Sequence, residues 1–417
     1  MADTPHRRQP VTGLVLTGGG ARAAYQAGVL RGIERIRAEC GASHGPTGNP
    51  FAVMTGTSAG AINAAALASY ADEYPKAVER LHRIWHGFQA HHVYRADAFG
   101  VVRSGARWLT MFTIGWAVAR WRRAKPKSLL DNTPLAELLA EIVPLERIPT
   151  LVQRGVLRAF GVTASSYTAG THVTFYDAAE SQKPWVRSQR VAVPGRITLT
   201  HLLASSAIPF VFPAQSLPFD GQDHWFGDGS MRQTAPLSPA IHLGAERLLV
   251  IGAGRLHEPP GERRAAGGYP TLAQIGGHAL SNIFLDALAV DIERAQRINA
   301  TLSLLPTELR AHSMLRPLEM LVIAPSQRLD DIAVRHIGAL PAPVRTMLRA
   351  VGVSQSAGAA KGAGAGGGAL ASYLLFESDF TRELIALGEA DAMARADEVR
   401  AFFHWPSAAG VALSGAA

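Results

Sequence analysis

The chain has a single cysteine, Cys40, among its 417 residues. No intramolecular disulfide can form, which suits a reducing compartment. Lysine is scarce: of 41 basic residues only those at 76, 125, 127, 183 and 361 are lysine, and the rest are arginine. Alongside abundant alanine and glycine, this skew reflects a GC-rich genome, so arginine content does not indicate nucleic acid and no such partner is expected. Residues 1–10 are polar, with Arg7 and Arg8, and the apolar run Val11 to Leu16 is too short for a secretory signal. The apolar run Trp108 to Ala119 falls far short of the roughly 20 residues that a spanning helix needs. No closed set of metal ligands is visible, no cofactor is expected, and the chain has no internal repeat. The expected location is cytoplasmic, with peripheral contact at the inner face of the membrane.

What the chain does have is positive charge and apolar bulk. A net charge of +8 and a pI near 9.9 favour anionic surfaces, a lipid headgroup layer among them. The charge is dense around Trp108 to Ala119, where Arg103, Arg107, Arg120, Arg122, Arg123, Lys125 and Lys127 flank the apolar run with no acid between. Two readings stand for this stretch, a helix lying in a membrane interface or a cap helix over the core. At 47% hydrophobic residues the chain can bury a sizeable core.

Strand-like and helix-like runs alternate in the first half, which predicts an α/β protein with a parallel sheet. Val11–Thr17 reads as a buried strand followed by a glycine turn and a helix through Ala38. Phe51–Thr55 reads as a second strand, followed by an alanine-rich helix over Ala59–Tyr70 and another over Pro75–Phe88. Further strands are expected at Ala159–Thr163, Val173–Tyr176 and Arg247–Gly252. Helices are expected at Pro236–Leu243, Leu272–Ile298 and Phe376–Phe403. The predicted organisation is a polar segment 1–12, a catalytic domain 13–243 with an insertion near 101–127, and a C-terminal region 244–405. That last region completes the sheet and adds helices, with a Gly-rich loop at 357–369 and a disordered tail at 406–417.

Two turns carry the chemistry. Gly18-Gly19-Gly20-Ala21-Arg22 lies between a strand and a helix and is built to present backbone N–H groups to an anion. Gly18-x-Gly20-x-x-Ala23 also fits a loose dinucleotide fingerprint, but the acid near the required distance, Glu39, ends a helix instead of a strand. Close strand–helix packing is a third reading. The second turn, Gly56-Thr57-Ser58-Ala59-Gly60, matches G-x-S-x-G in its required strand–turn–helix setting and holds Ser58 out of a sharp corner. An α/β-hydrolase places several strands before that serine, whereas here one does. His82 and His86 have one-turn spacing, yet no histidine stands in a distinctive turn as a base. Asp228, in Phe226-Gly227-Asp228-Gly229-Ser230, is the better candidate, with an ordinary Asp-Gly turn as the alternative.

Taken together, these residues resemble bacterial members of the patatin-like phospholipase family, serine acyl hydrolases that use a Ser–Asp dyad. The resemblance rests on the glycine turn, the elbow and the Asp228-Gly229 pair, in the family's order. Ala204-Ser205-Ser206-Ala207-Ile208-Pro209 and Pro236-Leu237-Ser238-Pro239-Ala240-Ile241 support it. It implies a three-layer sandwich around a mostly parallel sheet, with a mainly helical C-terminal region. It also implies Ser58 and Asp228 as catalytic residues, Gly18, Gly19, Gly20 and Ala21 around an oxyanion hole, and Arg22, Gly56, Ala59, Gly60 and Gly229 as motif support. The implied activity is hydrolysis of lipid carboxylic esters, of phospholipase A, lysophospholipase or lipid esterase type, with a lipid or phospholipid substrate. Acyl transfer to another acceptor and a non-catalytic membrane-binding role are the alternatives. Ala23 stands where the family usually has Gly, and Ser230 where it has Gly or Ala.

Overall fold

The computed structural model describes residues 10–42, 45, 47–95, 128–179, 181–256, 272–283, 287–313, 315–353 and 365–406. The basic and apolar stretch 101–127, most of the expected Gly-rich loop and the tail from 407 lie outside the described residues. The helices used below are α1 (Ala24–Glu39), α2 (Ala59–Ala68), α3 (Tyr74–His86), α4 (Thr133–Ile142) and α5 (Leu199–Ser205). They continue with α6 (Ser238–His242), α7 (Ala287–Ser303), α8 (Leu329–His336), α9 (Ala365–Leu374) and α10 (Ser378–Ala394).

Five short strands form the parallel centre: β1 (Thr12–Leu16), β2 (Val53–Thr57), β3 (Ala159–Ser166), β9 (Arg247–Ile251) and β10 (Glu319–Ile323). Beyond β3 lie β4 (His172–Ala178), β5 (Val186–Arg187) and β6 (Arg190–Pro194), and the hairpin β7 (Gln215–Phe219)–β8 (Gln222–Asp228) joins at β3. The order is β10-β9-β1-β2-β3-β4-β6-β5, parallel from β10 to β3 and between β4 and β6, antiparallel at β3–β4, β5–β6, β3–β8 and β7–β8.

Both faces of the centre are covered, so β1, β2, β3 and β9 are buried at every position, mostly with apolar side chains and small ones such as Gly, Ser and Thr. Leu14 and Leu16 point into a core shared with α1, α2, α3 and α10, while Val15 and Val53 point into a smaller one with Leu237, Ala240, Leu288 and Ile292 of the α6 and α7 side. This alternation is the period-2 pleat at work. The mostly parallel sheet with helices on both sides and a helical C-terminal region is the architecture that the sequence implied.

Several bounds differ from expectation. The elbow strand runs over Val53–Thr57 instead of Phe51–Thr55, because Asn49 Oδ1 accepts the Phe51 N–H at 3.0 Å and holds 49–51 as a turn. Of the helix expected over 272–298, Leu272–Ser281 and Ala287–Ser303 are α-helical, and residues 284–286 lie outside the described residues. The last residues of the expected Gly-rich loop instead open α9, where Gly368 brings its backbone against the Asp330 carbonyl of α8.

Candidate active site

The corner at Ser58 is strained by design. Ser58 sits at φ 56°, ψ −133° between β2 and α2, a conformation that a non-glycine residue reaches only when its surroundings enforce it. The enforcement comes from close backbone contact. A Cβ on Gly60 would strike the Leu16 and Thr17 carbonyls, and one on Gly56 would strike Gly60 and Ala61. The Ser58 N–H, which no helix bond uses, donates to Ser205 Oγ at 2.8 Å. Ser205 is fully buried at the end of α5 and so braces the nucleophile's own backbone.

Ser58 Oγ donates to Asp228 Oδ2 at 2.6 Å across 170 residues of sequence. Strand β3 explains the meeting. Its first part pairs with β2 up to Thr57↔Thr163, and its next residue pairs with β8 at Ala164↔Asp228. Strands β2 and β8 therefore meet end to end along one edge of β3, and each ends at a chemical residue. Gly229 lets the chain turn away against the Thr163 carbonyl, where no Cβ fits. The Ser230 N–H donates to Asp228 Oδ1 at 2.9 Å, and the Asp228 N–H to the Ala207 carbonyl at 3.0 Å.

Asp228 is completely buried. Burial pushes its pKa up from the ordinary 3.8 to about 6, against the opposing hydrogen bonds from Ser58 and Ser230. Two other titratable groups lie close. Tyr167 is pushed up to about 12, chiefly by burial and then by the Asp228 charge, and buried His172, against Gly229, is pushed down to about 4. The spaced pair His82 and His86 lies elsewhere, with His82 against Arg31 on α1.

The glycine turn ends in a tight helical turn, Gly20–Ala23, with Gly20 at φ +55° against the Tyr373 carbonyl. Among the described residues, the N–H groups of Gly19, Gly20 and Ala21 donate to no protein acceptor, unlike that of Arg22, which is taken by the Gly19 carbonyl at 3.1 Å. The N–H groups of Ala59 and Gly60, the first two of α2, are unused in the same way, whereas those of Ala61 and Ile62 donate to the Ser58 carbonyl. Gly20, Ser58 and Ala59 line one cleft, whereas Gly18 lines a separate cavity together with Val15, Thr57, Ser230 and Leu288. Arg22 is buried and tied to the C-terminal region. It pairs with Asp330 at 2.5 Å, donates to Ser372 Oγ at 2.7 Å and stacks on Tyr373 at 4.1 Å. It is an internal strut.

The cleft has apolar walls from α2, α3 and α4, with Ile208, Phe212 and Phe376 completing its lining. Of the apolar loop 208–213, Ile208 and Phe212 face the cleft, while Phe210, at φ 66°, is 70% exposed. A buried polar chain runs behind Ser58. Trp85 Nε1 donates to Asn63 Oδ1 (2.8 Å), Asn63 Nδ2 to Gln26 Oε1 (2.9 Å), and Gln26 Nε2 to the Thr17 carbonyl (2.8 Å). Sequence reasoning missed this chain and Ser205; the available signal was a lone Asn in an otherwise apolar alanine-rich helix. Among the described residues no three His, Cys, Asp or Glu side chains gather as metal ligands, and no helix is long and apolar enough to cross a membrane.

Comparison with known proteins follows the same line. The patatin-like phospholipase family profile matches residues 14–241. No curated protein matches significantly. Among solved structures, the chain is similar to VipD from Legionella pneumophila (12% identity, 90% of this chain and 67% of that one, TM-score 0.32). It is also similar to human GIVD cytosolic phospholipase A2 in complex with methyl gamma-linolenyl fluorophosphonate (13% identity, 97% of this chain, TM-score 0.43). It spans 60% of the length of that human chain. With its matched region holding the glycine turn, the elbow and Asp228, the chain belongs to the patatin-like phospholipase family and is, at the level of that family, a lipid ester hydrolase.

Proposed function

We propose that the protein hydrolyses carboxylic esters of lipids through a Ser58–Asp228 dyad. The observation that carries this reading is the 2.6 Å hydrogen bond from Ser58 Oγ to a fully buried carboxylate, at one end of an apolar cleft. Asp228 takes the Ser58 proton as Oγ attacks the acyl carbonyl, and returns it to the leaving alcohol. Burial makes Asp228 a stronger base than an ordinary aspartate, at about 6, while leaving it ionised at neutral pH. Negative charge developing on the carbonyl oxygen is met by the unused N–H groups of Gly19, Gly20, Ala21 and Ala59. Each such donor is worth about 10²–10³ in rate. The acyl chain lies in the cleft, and water then attacks the acyl-enzyme with Asp228 again as base.

The test is hydrolysis of p-nitrophenyl and phospholipid esters by purified protein beside Ser58→Ala and Asp228→Asn. Loss of turnover in both variants supports the dyad, and full activity in Ser58→Ala refutes it. We also propose peripheral contact with anionic membrane through Arg103, Arg107, Arg120, Arg122 and Arg123. The flanks of that stretch support this: Arg95 pairs with Asp131, and the Leu129 N–H donates to the carbonyl of exposed Phe210 at 2.8 Å, beside the cleft. Sedimentation with vesicles should rise with anionic lipid and fall with salt; indifference to both rejects the contact.

A further inference from the structure

The cleft has a definite far end. On α2, Ala59, Ile62 and Ala66 line it at successive turns, leading away from Ser58 over eight residues, about 12 Å at 1.5 Å per residue. Helix α3 runs antiparallel to α2. Trp85 of α3 bonds Asn63 in the middle of α2, and further out Arg80 stacks on Tyr70, just beyond the end of α2, at 4.0 Å. The far end is therefore built from Ala66 of α2, Leu81 of α3, and Ile142 and Val143 at the end of α4.

Behind that apolar floor lies charge. Arg147 pairs with Asp72 at 2.9 Å and lies 4.7 Å from the centre of the Tyr70 ring, so that ring has a guanidinium from each of two elements. An acyl tail that outgrew the floor would have to displace an ion pair and desolvate its charges, which apolar contact does not repay. The side wall offers no easier exit. Ile84, Phe88, Leu138 and Ile142 separate the cleft from an outer groove that carries Arg80, Arg83, His92 and Glu141.

We infer that the cleft is a ruler for the acyl chain, with Ala66 and Leu81 as the residues that set its depth and medium-chain acyl esters as the preferred substrate class. The inference rests on Ser58 being the nucleophile. Ala66 is the graduated mark, because its methyl leaves space that a larger side chain would fill. Leu81 is buried at the same level on the facing helix, and truncating it lengthens the apolar space toward Tyr70.

The experiment compares kcat/KM for p-nitrophenyl butyrate, octanoate, laurate and palmitate in the wild type, Ala66→Leu, Leu81→Ala and Ser58→Ala. The wild type should prefer octanoate or laurate over both ends of the series. Ala66→Leu should lower the laurate-to-butyrate ratio at least tenfold, since a single methylene in such a pocket discriminates by about 10-fold or more. Leu81→Ala should raise the palmitate-to-octanoate ratio. Covalent labelling of Ser58 by a small fluorophosphonate reports that Ala66→Leu and Leu81→Ala are folded, and if Ala66→Leu is not, the Leu81→Ala ratio decides. Wild-type ratios in labelled variants overturn the ruler and leave the nucleophile standing. Absence of Ser58-dependent turnover for every ester overturns the nucleophile and the ruler together.

Discussion

Asp228 must be ionised to act as a base, yet it is buried where ionisation is costly, so Asp228→Asn should trade activity for stability in a pH-dependent way. In the unfolded chain an aspartate titrates near 3.8, and in the fold Asp228 titrates near 6. Below the lower value both states are neutral and the carboxyl costs nothing. As pH rises, the unfolded chain releases its proton first, and the fold loses stability until the folded group also ionises. Above that the penalty is constant, the shift of about 2 units times 1.36 kcal/mol, or roughly 3 kcal/mol. At pH 5 the same two pKa values give roughly half of that. Asparagine does not titrate, so its own hydrogen-bonding cost is the same at every pH and cancels in the comparison. The stability of Asp228→Asn relative to wild type should therefore improve by about 1–2 kcal/mol between pH 5 and pH 8. The neighbours do not interfere, because Tyr167 at about 12 and His172 at about 4 keep one charge state over most of that range. Urea unfolding of both proteins at pH 5, 6, 7 and 8 reads the difference. A gap that is flat with pH, or that shrinks as pH rises, refutes the claim that burial dominates at Asp228.

Three further perturbations test other parts of the site. Ser230→Ala removes a hydroxyl that, with the backbone N–H, holds the Asp228 carboxylate in its ionised form, so the acid limb of kcat/KM, near pH 6 in the wild type, should move to higher pH; an unmoved limb rejects that role. Gly60→Ala drives a Cβ into the Leu16 and Thr17 carbonyls and should destabilise by several kcal/mol while abolishing fluorophosphonate labelling, measured by urea unfolding and gel readout. Arg22→Ala leaves Asp330 unpaired and removes the stack on Tyr373, and should cost about 3–5 kcal/mol, while an effect below about 1 kcal/mol would show the strut to be dispensable.

Much of this could be read in the sequence because it is local. The strand–glycine–helix grammar of residues 11–38, the elbow around Ser58 and the Asp228-Gly229 pair each depend on a few consecutive residues whose size and backbone freedom leave few alternatives. The bounds of the elbow strand were harder to place, since Phe51 looks strand-like while the Asn49 side chain holds it in a turn. β10 was missed because Glu319–Ile323 is a single short apolar run whose strand character comes from pairing with β9. The small residues at 365–369 read as a loop because the close approach of Gly368 to α8 is a tertiary contact.

By itself the sequence determined which residues could do chemistry: a serine in a corner that only glycines permit, an aspartate between glycines, and donors at a helix start. Tertiary structure decided that they come together. Strand β3 accepts β2 and then β8 along one edge, and that register, not any local preference, brings Ser58 and Asp228 to 2.6 Å. It also decided the environment, because Asp228 is wholly buried in the packed fold and the cleft along α2 is walled by α3 and α4. Propensity acts over a few neighbours, whereas proximity and desolvation are properties of the packed whole.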